Sequence, residues 1–590
     1  AETSSSSVEL LKEIIGDENG VNAGDAMGNI VFPEGIASGI DDDSDGNQTS
    51  DIASELELLD QLTRYVSGNQ IGNLTPLVNL GNLTWLNLSD NLIIDISPLG
   101  NLTGLVYLDL GSNQIDDVTL LGNLTSLEEL YLWNNQINDL LPLGNLTNLT
   151  DLYLWRNEIG NISPLENLIN LNTLHLAWNP IRDISPISEL TGLTELRLGL
   201  TQIRDISPLR NLAELTDLGL SLTRISDISP VSGLAGLTNL RLTADRITDI
   251  SPLRDLTNLT SLRLGWNQIS DISPISGLTN LKELRLSGNQ LCDISPISGL
   301  TGLTELRLSG NGITNISALS NLVNLTDLRL NQNRITNISP LSGLNNLTTL
   351  NLGRNRISNI TALGNLTNLT DLALWGNQIS DISPLATLPY LMYLDLDENQ
   401  ISDISPLSNL VYLMYLDLDE NQISDIAALG NLTYLFELYL WENQISDISP
   451  LSNLVYLMYL DLDENQITDI TALGNLTNLI QLALWDNQVS DISPLSNLAN
   501  LIYLDLDENQ ITDITALGNL TSLTVLYLWD NQISDIPPLS KLTKLIFLDM
   551  CENQIGNITA LGNLTSLIGL DLCGNQISDT SPLASLTGLA

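Results

Sequence analysis

From Leu322 to Leu341 the chain reads Leu-Val-Asn-Leu-Thr-Asp-Leu-Arg-Leu-Asn-Gln-Asn-Arg-Ile-Thr-Asn-Ile-Ser-Pro-Leu, and this spacing returns every 22 residues. With Leu322 as position 1, leucine or isoleucine stands at positions 1, 4, 7, 9, 14, 17 and 20, with Asn333 at 12 and Pro340 at 19. Neither a helical period of about 3.6 nor strict strand alternation fits this spacing. A short strand over positions 6 to 10, a turn and a tight return segment do fit, all pointing their aliphatics the same way. Such a unit cannot bury its apolar side alone, whereas stacked copies bury it against one another. The chain is therefore expected to form a solenoid of parallel strands.

Position 12 can be followed in steps of 22 from Asn69 to Asn575, giving 24 coils without an insertion or deletion; only Thr201, Thr223 and Asp245 replace the asparagine. Where the chain turns inward after the strand, backbone N–H and C=O groups are buried and need partners. An inward asparagine offers both a donor and an acceptor, and is expected to bond its counterpart in the next coil. Threonine or aspartate supplies only part of this, so a weaker ladder is expected over those three coils. The aspartate at position 16, as in Asp271, Asp403 and Asp447, precedes Ser-Pro and is read as a structural acceptor for local N–H groups.

The motif L-x-x-L-x-x-L-x-L-x-x-N-x-I-x-D-I-S-P-L runs through Leu278–Ile297 with Leu291 and Ile297 as aliphatic swaps. It resembles the bacterial 22-residue leucine-rich repeat of the internalin family over roughly residues 30 to 590. The front end resembles that family's N-terminal cap, with Val31-Phe32-Pro33, Ile36 and Ile40 ahead of a helical stretch from Ser54 to Leu62. The fold this implies is an α/β solenoid, a curved right-handed superhelix. Its parallel β-sheet lies on the concave face, short 3-10 or extended segments lie on the convex face, and a small helical cap opens it. Residues 1–50 then form an acidic Ser/Gly/Asp-rich leader, 51–80 the cap and first coil, and 81–590 the solenoid. The resemblance implies an extracellular binding or adhesion protein.

A net charge of −49 argues against nucleic acid or an anionic membrane surface as partner, and favours divalent cations or basic partners. No apolar run approaches the roughly 18 residues of a membrane span, so no membrane insertion is expected. The opening Ala-Glu-Thr-Ser-Ser-Ser-Ser reads as a mature terminus after signal cleavage, which points to secretion or a cell-surface location. The final Leu586-Thr-Gly-Leu-Ala590 stops within a repeat, and self-association end to end is the competing structural reading. Asn-Leu-Thr triplets such as Asn101 and Asn365 match the glycosylation pattern, although the repeat itself generates them.

Positions 6, 8 and 10 should leave the strand outward and, with 11 and 13, make one continuous face. All nine tryptophans fall there, Trp85 at position 6 and the rest at 10 or 11. Outward aromatics this concentrated point to recognition, since they offer flat apolar area with a polar edge. Neighbouring aromatics that merely stack along the sheet are the plainer reading. The candidate ligand-binding residues are Trp133, Trp155, Tyr439, Trp441, Trp485, Tyr527 and Trp529, facing a protein or glycan. Arg263, Arg285, Arg307 and Arg329 at position 8 join them as acceptors for an acidic partner, unless the acids at position 6 neutralise them.

Beyond residue 390 the pattern becomes Tyr-Leu-Asp-Leu-Asp-Glu-Asn, and from residue 421 such coils alternate with tryptophan coils. Asp395, Asp397, Asp417 and Asp419 lie in adjacent coils, where repulsion between like charges invites a hard cation with oxygen ligands, Ca2+ being the candidate. The Asp41–Gly46 run mimics part of a calcium loop but lacks its bidentate glutamate. Cys551 and Cys573 share position 10 of successive coils, within disulfide reach but with side-by-side Cβ vectors, and the pairing stays open. Cys292 on the return segment reads as a small filler. No enzyme is expected, because the sole histidine, His175, has no nucleophile beside it and no phosphate loop or zinc cluster is present.

Overall fold

The computed structural model describes residues 66–589, and the chain falls into two compact units, Ala1–Gln290 and Leu291–Ala590. In the first, ten three-residue strands from Trp85–Asn87 to Glu283–Arg285 pair in parallel, each with the next. In the second, thirteen strands from Glu305–Arg307 to Gly569–Asp571 do the same. Each coil adds one strand without slippage, so Tyr393 faces Tyr415 and Asp395 faces Asp417. The repeat's aliphatics fill the interior: Leu322, Leu325, Leu328, Leu330, Ile335 and Leu341 are 0% exposed and Ile338 is 1%. Burying each contributes about 1.5–3 kcal/mol.

The strands cover positions 6 to 8 and stop two residues sooner than the spacing suggests. The residue at position 11 adopts a left-handed backbone in every described coil. Asn134 (φ 52°), Trp266 (φ 57°), Glu464 (φ 47°) and Asp486 (φ 46°) do so, as do Gly310 and Gly376. This conformation costs a non-glycine residue about 1–2 kcal/mol and takes the chain out of the pleat. The asparagine one residue later offsets it.

Asn333 Nδ2 donates to the C=O groups of Leu330 (2.9 Å) and Asn331 (3.3 Å) in its own coil and of Leu308 (3.0 Å) in the preceding one. Its Oδ1 accepts the N–H of Ile313, also in the preceding coil, at 3.0 Å. The bonds thus run from side chain to backbone rather than from one asparagine to the next, which corrects the expectation above. A side-chain ladder would leave the turn's own carbonyls unsatisfied. Thr201 spends its hydroxyl within its own coil, on the C=O of Leu198. Asp245 Oδ1 accepts the N–H groups of Thr223 and Arg224 in the preceding coil, and Arg224 becomes a second left-handed residue of its coil at φ 67°.

On the return side, Asp271 Oδ1 accepts the Ser273 N–H at 2.8 Å. A 3-10 turn, Ser273–Gly277, follows with Pro274 near its start, where no N–H is needed. These bonds hold Asp271 below the usual carboxylate range. Among the described residues there is no α-helix and none long and apolar enough to cross a membrane. The cap expected from Val31 to Leu62, the leader and the Asp41–Gly46 run lie outside the described residues. Cys551 and Cys573 are bridged, with Cα atoms 4.5 Å apart. Cys292, read as a small filler on the return segment, is a free and exposed cysteine.

Asn333→Ala removes the acceptor of Ile313 and the donor to three carbonyls. It should destabilise the surrounding coils by about 1–3 kcal/mol, read in hydrogen exchange as faster opening at the Ile313 amide, whereas unchanged protection there contradicts the assignment.

Candidate functional site

With positions 7 and 9 buried, the pleat sends positions 6 and 8 outward, and the turn adds 10 and 11 beside them. Side chains at one position therefore form a row, one coil apart. None of the nine tryptophans on these rows is buried, and Trp178 and Trp266 are exposed.

In the first unit the aromatic rows stack on themselves. Trp133 and Trp155 lie 5.0 Å apart and 4° from parallel, beside Tyr131 and Tyr153 at 4.4 Å and 6°. Gly111 makes room for this, since a Cβ there would collide with the Trp133 indole. Arginines follow further along. Asp217 takes Arg197 and, at 3.0 Å, Arg241. Burial would raise Asp217, but the two guanidinium groups hold it below its ordinary value. Arg263 and Arg285 both reach Glu283, at 2.9 and 2.6 Å, and despite burial they keep that carboxyl low. His175 Nε2 lies 2.9 Å from Glu195 Oε1. In the second unit Arg307 meets Glu305 at 2.7 Å and Arg329 meets Asp327 at 3.4 Å. All four predicted arginines thus have carboxylates of this chain beside them.

The second unit carries the acidic rows. Among the described residues, only Cys551, Asp571 and Cys573 bring three metal-type ligand atoms within 4.8 Å of one another. Asp395, Asp397, Asp417 and Asp419 lie in neighbouring coils without converging to that degree. Asp395 Oδ1 accepts the Asp397 N–H at 3.3 Å and Asp417 Oδ1 the Asp419 N–H at 3.1 Å, while Asp397 Oδ1 is buried without a hydrogen-bond partner. Burial, followed by the charge of Asp417, pushes Asp395 and Asp397 up to about 7. Burial likewise raises Asp419 and Asp463, reinforced by Asp417 and Asp461 respectively. Asp507 is raised to about 7 by burial and the charge of Asp505.

Position 10 then runs Asp419, Trp441, Asp463, Trp485, Asp507, Trp529. Each aspartate accepts the backbone N–H of the following tryptophan, Asp419 from Trp441 at 2.6 Å, Asp463 from Trp485 at 2.6 Å and Asp507 from Trp529 at 2.5 Å. The indole N–H groups of Trp441 and Trp485 donate to Glu464 and Glu508, both at 3.2 Å. These glutamates occupy the left-handed position 11, which aims them back at the preceding coil. Tyr439 beside Trp441 donates its hydroxyl to Glu437 at 3.0 Å, and Tyr527 tilts against Phe547 at 5.2 Å.

Two further features lie on the surface. An exposed apolar border flanks the strand entry, with Tyr390, Tyr412, Tyr434 and Tyr456 at position 3 and Met392, Met414, Ile502 and Ile546 at position 5. The four tyrosines share one position of the repeat, whereas the outward apolar row at position 5 is marked by nothing in the motif. In the first unit, a cleft of about 810 Å³ is lined by Arg182, Arg204 and Arg224, where Thr201 and Thr223 replace asparagine.

A family model described as leucine rich repeats, two copies, matches residues 81–123, 125–167, 257–299, 301–343, 345–387, 435–475, 477–519 and 521–563. A second leucine rich repeat model matches 367–423 and 389–445. The structure of an internalin from Listeria monocytogenes is 44% identical, covering 50% of this chain and 88% of its own, with a TM-score of 0.50. A leucine-rich repeat protein of Leptospira interrogans is 27% identical, covering 66% of this chain and 99% of its own, at 0.56. A plant peptide hormone receptor, solved with its hormone, is 24% identical, covering 88% and 94%, at 0.64, and shares the fold. No curated protein matches the chain in sequence.

The raised aspartates have a pH signature. A carboxyl whose folded value lies above its unfolded value of about 3.9 binds more protons in the folded state across that interval, so its contribution to stability is lost as pH rises through the folded value. Melting temperature by calorimetry should therefore fall between about pH 5 and pH 9, the window set by Asp395, Asp397 and Asp507 near 7 together with the raised Asp419 and Asp463. Asp419→Asn should flatten that fall, and a melting temperature that climbs over the same range contradicts the placement of these groups.

Proposed function

The chain belongs to the leucine-rich repeat family, and from that premise we propose that it is an extracellular binding protein, secreted or held at a cell surface. Its partner, a protein, peptide or glycan, docks on the outward strand-and-turn rows. The observation that carries this reading is the placement of the tryptophans. All nine occupy outward positions, none is buried, and the aliphatic column beneath is complete without them. Tryptophan and tyrosine on a rigid surface are the side chains that supply most of the affinity at protein interfaces.

The second unit offers the stronger surface. There Trp441, Trp485 and Trp529 are partly exposed and separated by aspartates rather than stacked on one another, so each is open to contact on its own. The arginine rows are a weaker choice, because Glu283, Glu305 and Asp327 already take up their charge. Nothing in these rows encloses a reacting centre. The paired carboxylates are half-buried on an open surface, and the chemistry they support is recognition.

Probing protein, peptide and glycan arrays with the wild-type chain and with a Trp441→Ala/Trp485→Ala/Trp529→Ala variant tests this. Truncating one interface tryptophan of this kind costs about 2 kcal/mol or more, so affinity for the captured partner should drop by at least about thirtyfold. A partner bound equally well by both forms removes the second unit's row from the site.

A further inference from the structure

The tryptophan row has a fixed repeat distance, and that distance selects a ligand. Cys551 and Cys573, at position 10 of successive coils, have Cα atoms 4.5 Å apart. Trp133 and Trp155, at the same position in the first unit, have ring centroids 5.0 Å apart. Trp441, Trp485 and Trp529 recur every second coil, so like points on the row return about every 9–10 Å, twice the ordinary spacing of neighbouring strands. A polyproline II helix has three residues per turn and rises about 3.1 Å per residue, so it presents the same side about every 9.3 Å. The two repeats agree closely enough to stay in phase along three tryptophans. A ligand in β conformation, which shows one face about every 6.8 Å, drifts out of phase after one step.

Charge narrows the ligand further. Between the tryptophans, in the same row, stand Asp463 and Asp507, with Asp419 ahead of Trp441 and Glu464 and Glu508 at the row's edge. The chain as a whole carries −49. A bound segment that lays prolines over the indoles brings the residues between them above carboxylates, where lysine or arginine is favoured by charge and by the neighbouring aromatic faces. The indoles are preset for this, since Glu464 and Glu508 hold the Trp441 and Trp485 N–H groups and less side-chain freedom is lost on binding. Proline-rich segments elsewhere dock on aromatic surfaces because their extended helix is already ordered in solution.

We propose that the row from Asp419 to Trp529 binds a proline-rich basic peptide in polyproline II conformation, running across the strands, with a lysine or arginine at every third residue. This rests on the binding role proposed above and names its ligand class. A cation placed over Asp419, Asp463 and Asp507 favours their ionised forms, so binding near neutral pH releases protons.

The test titrates the full chain by calorimetry with a peptide of about four Pro-Pro-Lys repeats and with an isomer of identical composition whose lysines are clustered at one end. Any acidic protein attracts both, so the comparison between isomers carries the result. The periodic peptide should bind at least about tenfold tighter at physiological salt. That preference should vanish in the triple tryptophan variant and in Trp485→Ala alone, and heats in two buffers of different ionisation enthalpy should show proton release. Equal affinity for the two isomers in the wild-type chain overturns the proposal without any variant needing to fold. A preference that survives both tryptophan variants overturns it as well. A folded protein or a glycan captured through Trp441, Trp485 and Trp529, with no preference between the peptides, overturns the peptide assignment and leaves the binding role standing.

Discussion

The asparagine at position 12 is the interaction on which everything else depends. One side chain closes the turn of its own coil through the carbonyls of positions 9 and 10, and reaches the preceding coil through one carbonyl and one N–H. Because both functions sit on one amide, coils cannot shift relative to each other without opening a buried turn, and unpaired buried groups of this kind are costly. Register is therefore set at each coil that carries this asparagine, while Asp245 keeps only the acceptor half of the link and Thr201 bonds within its own coil. The aliphatic column supplies the driving force for stacking, but leucine contacts alone tolerate sliding.

Fixed register is what turns single side chains into rows. A tryptophan at position 10 is always above the same position of its neighbour, so the sequence decides whether a row stacks on itself, as Trp133 does on Trp155, or alternates with acids, as from Asp419 to Trp529. The left-handed residue at position 11 adds the second constraint. It points Glu464 and Glu508 back to the indole N–H groups and so stiffens the row that a partner meets. The burial of Asp395 to Asp507 follows from the same crowding: tyrosines at positions 6 and 8 and tryptophans at 10 leave little water around the carboxylates between them, and their protons are held above the ordinary range.

The column was legible in the sequence because it depends on spacing alone. Leu322 to Leu341 name the buried positions, and Asp271 with Pro274 announces the return turn. The outward set of positions could be read from the same alternation. What spacing does not carry is the path of the backbone after the strand. Nothing in Asp-Glu-Asn or Trp-Glu-Asn shows that the middle residue is left-handed, because glutamate and tryptophan are poor indicators of that conformation. Without it, the spacing alone predicts a strand two residues longer than the one present and gives no sign of the indole-to-glutamate bonds. The bonds from the Asp397 and Asp419 N–H groups to Asp395 and Asp417 are likewise invisible to a count of charges.

Stitched aliphatic coils hold aromatic and acidic side chains in outward rows. Hydroxyl-radical footprinting read by mass spectrometry tests it most directly, because it reports side-chain access residue by residue in the intact chain. The account predicts rapid oxidation at Trp441, Trp485 and Trp529 in the free protein, against protection at core sites such as Met550, which is 0% exposed. Indoles as protected as Met550 contradict it.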